Sequence, residues 1–128
     1  MLPVSGAGQD APMSAAEFEA YVTGRTLTYA QSGETYGIEQ YLPGRKVIWA
    51  FVGDQCQRGF WYPQGELICF VYDNEPAAQC WRFFRAPRGG LIAQFADGDG
   101  QGGEDGLQLY EARNSDSPLS CPGPDVGA

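Results

Sequence analysis

The sequence predicts an all-β fold in which about eight antiparallel strands follow one another as an up-and-down meander and close into a small barrel. Two observations support this prediction. The 128 residues include 18 Gly and nine Pro, which is typical of a chain with many tight turns. The connections between the β-rich runs are so short that consecutive strands have to be antiparallel neighbours. Closure would remove the exposed edges of the sheet.

One short helix is predicted before the strands. Ser14 and Glu17 have the spacing of a capping box. The helix should occupy residues 14–23, including its cap, and end at Gly24. Its predicted apolar face consists of Phe18, Tyr21 and Val22.

The chain divides into three parts on this interpretation. Residues 1–12 form a flexible leader, residues 13–112 form the barrel domain with its helix, and residues 113–128 form a C-terminal tail. The small and polar residues at the start suggest a mature terminus from which a signal peptide has been removed.

From Thr26 onward, short runs rich in β-branched and aromatic residues alternate with turn residues. The predicted strands are residues 26–31, 36–42, 45–52, 56–62, 66–72, 78–85, 91–96 and 107–112. The turn signals between them include Ser32-Gly33, Pro43-Gly44, Gly53-Asp54, Pro63-Gln64-Gly65, Asn74-Glu75-Pro76 and Pro87-Arg88-Gly89-Gly90.

The turns also predict a strand register. A hairpin centred on Pro63-Gln64-Gly65 sets Trp61 opposite Leu67, and the hairpin before it sets Trp49 opposite Gly59, where an indole can cover the bare backbone. Glu39 then lies on a polar outer face. The predicted interior consists of Leu27, Tyr29, Tyr36, Ile38, Val47, Trp49, Phe51, Trp61, Leu67, Val71 and Phe84.

The same register leaves a large aromatic patch on the outside. Its members are Phe60, Tyr62, Ile68, Phe70, Tyr72, Trp81 and Phe83. A monomer rarely leaves such a patch in water. Either the N-terminal helix packs over it, or it is a surface for a partner or a second copy of the chain. A monomer and a homodimer are both compatible with the sequence.

The four cysteines are expected to form two disulfides. A hairpin that turns at Asn74-Glu75 sets Cys69 opposite Cys80, and by elimination Cys56 pairs with Cys121, which ties back the tail. Disulfides require an oxidising compartment, so export is expected. A zinc site is not expected, because the cysteine spacing does not suit one and the chain has no histidine.

The charge of the chain argues against two classes of partner. With a net charge of −8 and a single lysine, it would repel nucleic-acid phosphates and anionic membrane surfaces. No apolar run is long enough to span a membrane as a helix.

Few groups for catalysis are present. The chain has no histidine, no serine in a Gly-x-Ser-x-Gly elbow and no phosphate-binding glycine motif. We therefore expect neither an enzyme nor a cofactor. A hydrolase that uses two carboxyl groups is an alternative, although no pair is singled out by the sequence.

Two further sets of polar residues are candidate sites. Arg82 and Gln40 fall on the predicted interior face, where the guanidinium can hold a ligand carboxylate; alternatively it is paired internally or lies at the barrel mouth. Residues 97–108 partly imitate a calcium loop, but an acidic surface loop is the favoured interpretation. The oxygen ligands of that weaker calcium candidate would be Asp97, Asp99, Gln101 and Asp105.

Several short runs carry a family resemblance. They are Gly33-Glu-Thr-Tyr-Gly37, Tyr41-Leu-Pro-Gly44-Arg, Gly59-Phe-Trp61, Ile68-Cys69-Phe and Gln79-Cys80-Trp81. In these runs the chain resembles small exported alphaproteobacterial proteins and a broader proteobacterial domain family of unknown function, over roughly residues 14–125. The resemblance implies a lipocalin-like (calycin-like) barrel that is periplasmic or secreted, and it supplies no known activity or site residue.

The expected function is a non-enzymatic binding or protein-interaction module whose partner is an unknown protein or a small apolar or anionic ligand. An inhibitor of a protease or cell-wall enzyme, acting through a rigid loop or the leader, is a second possibility. The residues expected to bind are Arg82, Gln40, Phe60, Tyr62, Phe70, Tyr72, Trp81 and Phe83.

Overall fold

A single helix precedes eight strands in the computed structural model, which describes residues 11–51, 55–96 and 107–121. Each strand pairs antiparallel with the next, and the last pairs with the first, so the barrel is closed. The all-β prediction is thereby confirmed. The elements are α1 (Ala15–Val22), β1 (Thr26–Gln31), β2 (Glu34–Leu42), β3 (Lys46–Phe51), β4 (Gln57–Gln64), β5 (Leu67–Tyr72), β6 (Glu75–Arg85), β7 (Leu91–Ala96) and β8 (Gln108–Ser115).

Barrel closure uses residues that were assigned to the tail. β8 continues to Ser115, which pairs with Thr26 at the start of β1. The barrel therefore extends past residue 112. The physical reason is that β1 would otherwise be an open edge, and its backbone groups need a partner along their whole length.

The helix begins and ends where its sequence signals predict. The Ser14 hydroxyl accepts a hydrogen bond from the Glu17 amide at 3.1 Å, and the Glu17 carboxylate accepts one from the Ser14 amide at 2.9 Å. The last helical residue is Val22, and Gly24 follows with a φ of +85°, in the left-handed region that favours glycine.

α1 closes one end of the barrel. Phe18 is fully buried, and its ring packs against four rings, one each from β2, β4, β5 and β6. These are the rings of Tyr41, Trp61, Phe70 and Phe83. The Met13 amide donates to the Phe83 carbonyl at 2.7 Å, and the Gly24 amide donates to the Tyr41 carbonyl at 2.8 Å. The helix is thus fixed to the barrel wall at both of its ends.

The register of the β4–β5 hairpin differs from the prediction. Gln64 pairs with Leu67 around a two-residue turn, so Trp61 lies opposite Phe70 instead of Leu67. Gly65 occupies the first turn position with a positive φ, which is the position that suits glycine in such a tight turn. The shift is three residues, and because side chains alternate along a strand, an odd shift exchanges the two faces of β5.

The exchange of faces removes most of the predicted outer aromatic patch. Its members on β5 and β6 point inward and join the main core: Ile68, Phe70, Tyr72, Trp81 and Phe83. Only Phe60, which is 47% exposed, and the partly buried Tyr62 stay outside. The helix does pack against Phe70 and Phe83, as one alternative predicted, but from the inside of the barrel. Leu67, Val71 and Phe84, predicted to be interior, alternate with these residues and face outward.

A β-bulge corrects the predicted face of β2. The pairing of β1 with β2 shifts by one residue, because Tyr36 has no partner between the Tyr29–Gly37 and Ala30–Thr35 pairs. Tyr36 is interior, as predicted, but beyond the bulge the faces are reversed. Ile38 therefore faces outward and Glu39 faces inward, which is the opposite of the prediction.

The predicted covering of a glycine by Trp49 occurs at another residue. The pairing of β3 with β4 sets Trp49 opposite Gln57 and Gly59 opposite Val47. The Trp49 indole instead lies against Gly37, where any Cβ would collide with the ring. At Gly59 the close neighbours are the Val71 carbonyl and the backbone and ring of Tyr72.

Both predicted disulfides are present. Cys69 pairs directly with Cys80 across β5 and β6, and Cys56 is bonded to Cys121. The second bond fixes the segment after β8 to the outer face of β3, where Leu119 packs beside Ile48. Two disulfides indicate an oxidising compartment outside the cytosol. Among the described residues, no helix has both the length and the apolar character that crossing a membrane requires.

We predict that Phe18→Ala lowers the free energy of unfolding by about 3–5 kcal/mol, because it leaves a cavity among four aromatic rings. The matched control is Phe60→Ala on the exposed outer face, for which we expect a loss of less than about 1 kcal/mol. Urea unfolding of both variants measures the difference. Equal losses would contradict the role of α1 as the barrel closure.

Candidate functional site

The barrel contains a cavity at the end opposite α1. The helix contacts Arg45 in the β2–β3 turn, whereas the cavity reaches Tyr36 and Phe51, which lie next to the β1–β2 and β3–β4 connections. In an up-and-down barrel these sets of turns lie at opposite ends. The described lining consists of Tyr29, Tyr36, Glu39, Tyr41, Trp49, Phe51, Phe70, Tyr72, Gln79, Trp81, Phe83, Ala93 and Leu109.

The described residues enclose the cavity only in part. Its volume is about 420 Å³ when the open mouth is included. A volume of about 40 Å³ is open to the centre of a water molecule. This is enough for about three waters, or for a head group of a few non-hydrogen atoms. A longer ligand would extend into the mouth.

Three aromatic side chains, which we call the aromatic rim, form one side of the mouth: Tyr36, Trp49 and Phe51. Their ring centroids are 5.3 to 6.0 Å apart. The bulge in β2 aims Tyr36 toward the cavity, and the bare backbone of Gly37 makes room for the Trp49 indole. Phe51 is 39% exposed, so the rim presents apolar surface to solvent.

Glu39 is the polar centre of the cavity. Its side chain points into the barrel and is only 4% exposed. Tyr72 donates a hydrogen bond to the Glu39 carboxyl at 2.6 Å, and Tyr41 makes a longer one at 3.4 Å. The Tyr41 hydroxyl also lies 2.9 Å from that of Tyr29. A continuous chain of hydrogen bonds therefore crosses the interior from β1 through β2 to β5.

Burial controls the protonation of this chain. Loss of solvation raises the pKa of Glu39 from 4.5 to about 8, and the hydrogen bonds from Tyr72 and Tyr41 act in the opposite direction. At neutral pH the carboxyl is therefore mostly uncharged. Burial also raises the pKa of Tyr29, Tyr41 and Tyr72 well above 10, so these hydroxyls stay protonated.

A second carboxyl group, that of Glu111, forms hydrogen bonds that stabilise the fold. Glu111 on β8 accepts hydrogen bonds from the Tyr21 hydroxyl at 2.9 Å and from the Leu91 amide at 3.0 Å. Asn114 contributes another at 3.1 Å. These contacts fix α1 to the wall, and Glu111 does not belong to the cavity lining.

The predicted binding residues separate into two groups. Phe70, Tyr72, Trp81 and Phe83 come together in the cavity lining, although the prediction had put them on the outer face. The other four do not reach the cavity: Phe60, Tyr62, Arg82 and Gln40.

The placement of Arg82 and Gln40 in the interior is corrected by the structure. Arg82 alternates with Trp81 and Phe83 on β6, faces outward, and forms an ion pair with Glu66 at 3.5 Å. Gln40 accepts a hydrogen bond from the Leu119 amide at 3.1 Å on the outside of β2. Both residues face outward because the two faces of β2 and β6 are the reverse of those predicted.

The candidate calcium ligands Asp97, Asp99, Gln101 and Asp105 lie outside the described residues. Within residues 11–51, 55–96 and 107–121, no three histidine, cysteine, aspartate or glutamate side chains are grouped so that they can hold a metal ion. The described lining of the cavity is mostly aromatic and contains a single carboxyl group.

The sequence interpretation missed Glu39, Tyr41 and Tyr29 as a site. Glu39 was taken as evidence of a polar outer face, since a charged residue in a strand usually faces water. One signal was available. A glycine inside a strand, such as Gly37, often marks a bulge or a close approach of other atoms, and a bulge reverses the faces beyond it.

Comparisons with protein-family models, with curated proteins and with solved structures find no significant match to this chain. The family resemblance therefore stays a prediction.

The raised pKa of Glu39 makes protein stability depend on pH. Between about pH 4.5 and 8 the folded protein holds a proton that the unfolded chain has lost, so the free energy of unfolding falls as pH rises. The total fall in the free energy of unfolding over this range should be a few kcal/mol, on the order of 1 kcal/mol per pH unit. We predict that Glu39→Gln removes most of this dependence on pH.

Urea unfolding at pH 5, 6.5 and 8 measures the slope for the wild type and the variant. The matched control is Glu34→Gln, at an exposed position on the same strand, which should keep the wild-type slope. A Glu39→Gln protein with an unchanged slope would show that the buried carboxyl does not carry it.

Proposed function

We propose that this protein is a binding protein that takes one small ligand into the barrel cavity. The observation that supports this most directly is a partly enclosed cavity, lined mostly by aromatic side chains, that contains a nearly buried carboxyl group, Glu39. Ligand sites in proteins are typically concave and apolar, with few polar groups that orient the ligand. The cavity has this composition.

The proposed ligand has a polar end and an apolar body. The polar end reaches Glu39 and the hydroxyls of Tyr41 and Tyr72, which are the hydrogen-bonding groups at the base. The apolar body lies against the aromatic rim, whose member Phe51 is 39% exposed. A soluble protein gains by covering such a side chain when a ligand binds.

We further propose that the protein works as an exported bacterial protein, in the periplasm or after secretion. Its two disulfides support an oxidising compartment. The resemblance to small exported alphaproteobacterial proteins supports the bacterial part of this proposal.

A hydrolase is the second candidate, because a carboxyl group that is neutral near pH 7 in an apolar pocket has the properties of a general acid. Two-carboxylate hydrolysis needs a second carboxyl within reach. The cavity lining, as far as the structure describes it, offers Glu39 alone. The inhibitor alternative depended on a rigid loop or on the leader, and of the leader the structure describes only Ala11 and Pro12.

We predict that Ala93→Leu prevents binding, because Ala93 is buried in the cavity lining and the larger side chain fills the space. The probes are phenol, choline and 3,3-dimethylbutan-1-ol, titrated into labelled protein and followed by amide chemical shifts. At least one probe should saturate, with the largest shifts around Tyr36, Trp49 and Gln79. The matched control, Ala78→Leu, adds the same atoms at an exposed position and should bind as the wild type does.

Overpacking can cost stability by about 1–3 kcal/mol, so a second variant is included. Gln79→Trp is expected to block the cavity from the more exposed end of β6, because Gln79 belongs to the lining and is only half-buried. Loss of binding in both variants, with Ala78→Leu unaffected, supports the proposal. Saturable binding that survives both, or no binding of any probe, would overturn it.

A further inference from the structure

We propose that the buried end of the ligand is a small organic cation, a protonated amine or a quaternary ammonium group, which aromatic faces surround and Glu39 neutralises. This inference rests on the proposed function and deepens it by naming the chemical class of the ligand. It follows from the composition of the cavity and from the placement of its one carboxyl group.

The first support is the number of aromatic faces. A cation placed over the face of an aromatic ring is attracted by the electrons of that ring, most strongly by those of tryptophan. Nine of the lining residues are aromatic, and the aromatic rim groups three of them at the mouth. Deeper in the cavity, the rings of Phe70 and Tyr72 are nearly parallel, with 7° between their planes. A compact cation can contact several of these rings at once.

The second support is the sign of the charge. Glu39 is the only ionisable carboxyl in the described lining, and that lining contains no lysine or arginine. The chain as a whole carries a net charge of −8. This field attracts cations and repels anions. The anionic ligand that the sequence suggested loses its support, because Arg82 is outside the barrel and paired with Glu66.

The third support is that the cavity can change its own charge when a cation arrives. In the empty cavity Glu39 is held mostly neutral by burial. A bound cation stabilises the carboxylate, so the proton leaves for solvent as the cation enters. The net charge of the cavity is the same before and after binding, which avoids burying an uncompensated charge.

Among the described groups that line the cavity, Glu39 is the one expected to titrate near neutral pH. Tyr29 on β1, Tyr41 on β2 and Tyr72 on β5 all have a pKa raised well above 10. From β3, β6 and β8 the lining contributes Trp49, Gln79, Trp81, Phe83 and Leu109, which do not titrate. Glu111 on β8 is bonded to Tyr21 and Leu91 at the helix end.

The test compares choline with 3,3-dimethylbutan-1-ol, in which a carbon atom replaces the charged nitrogen of an otherwise matching molecule. Binding is measured by titration calorimetry from pH 6 to pH 9. Because Glu39 has to lose its proton, the affinity for choline should rise about tenfold per pH unit below pH 8 and level off above it, about 100-fold in total. The affinity for the alcohol should not rise.

Proton release gives an independent readout. At pH 7, choline binding should release close to one proton, seen as a difference in heat between buffers of different ionisation enthalpy. In Glu39→Gln the pH dependence and the proton release should both vanish, and choline should bind at least tenfold more weakly at pH 8.5. Continued binding of the alcohol shows that this variant keeps its cavity. Glu34→Gln is the matched control and should behave as the wild type does.

The outcomes separate this inference from the proposed function. If the alcohol binds as tightly as choline at pH 8.5, or if choline affinity does not change with pH, the cation inference is wrong while the binding function stands. If phenol, choline and the alcohol all fail to bind, both are wrong. If Glu39→Gln does not fold, the pH profile and proton release of the wild type still decide the question.

Discussion

The hydrogen bonds that hold the Glu39 carboxyl between Tyr72 and Tyr41 are the constraint on which the interior depends. A carboxyl group taken out of water is costly unless its oxygens find partners. Here Tyr72 on β5 and Tyr41 on β2 supply them, and the Tyr41 hydroxyl is bonded in turn to Tyr29 on β1. The positions of these three strands are therefore linked through one buried carboxyl group. The same bonds leave one carboxyl group in a lining that is mostly aromatic. On the proposed function, stability and recognition share these atoms.

The strand order could be predicted from the sequence because it depends on local signals. Turn residues such as Ser32-Gly33 and the capping box of Ser14 act within a few residues, and the Cys69–Cys80 pair follows from one short hairpin. The faces of β2, β5 and β6 could not be predicted as safely. They depend on whether a turn holds two residues or three, and on one bulged residue, Tyr36.

The candidate site suffers most from such errors, because a single-residue shift moves every side chain of a strand to the other surface. Phe70, Tyr72, Trp81 and Phe83 were predicted to bind a partner or ligand from the outer face, whereas the structure groups them in the cavity wall. Glu39 was the reverse case. Its charge suggested water, whereas its neighbours supply hydroxyl groups that make burial tolerable. Hydrophobic patterning has no means of recognising a polar group that is satisfied from distant strands.

The closure of one end by α1 has a kinetic consequence. With Phe18 seated among four rings, the passage through the barrel stops there, so arrival and departure follow the same route. On the proposed binding function, a ligand that enters head first leaves tail first, and its tail is what other macromolecules meet while it is held. Transfer to an acceptor would then begin at the tail, before the head is released.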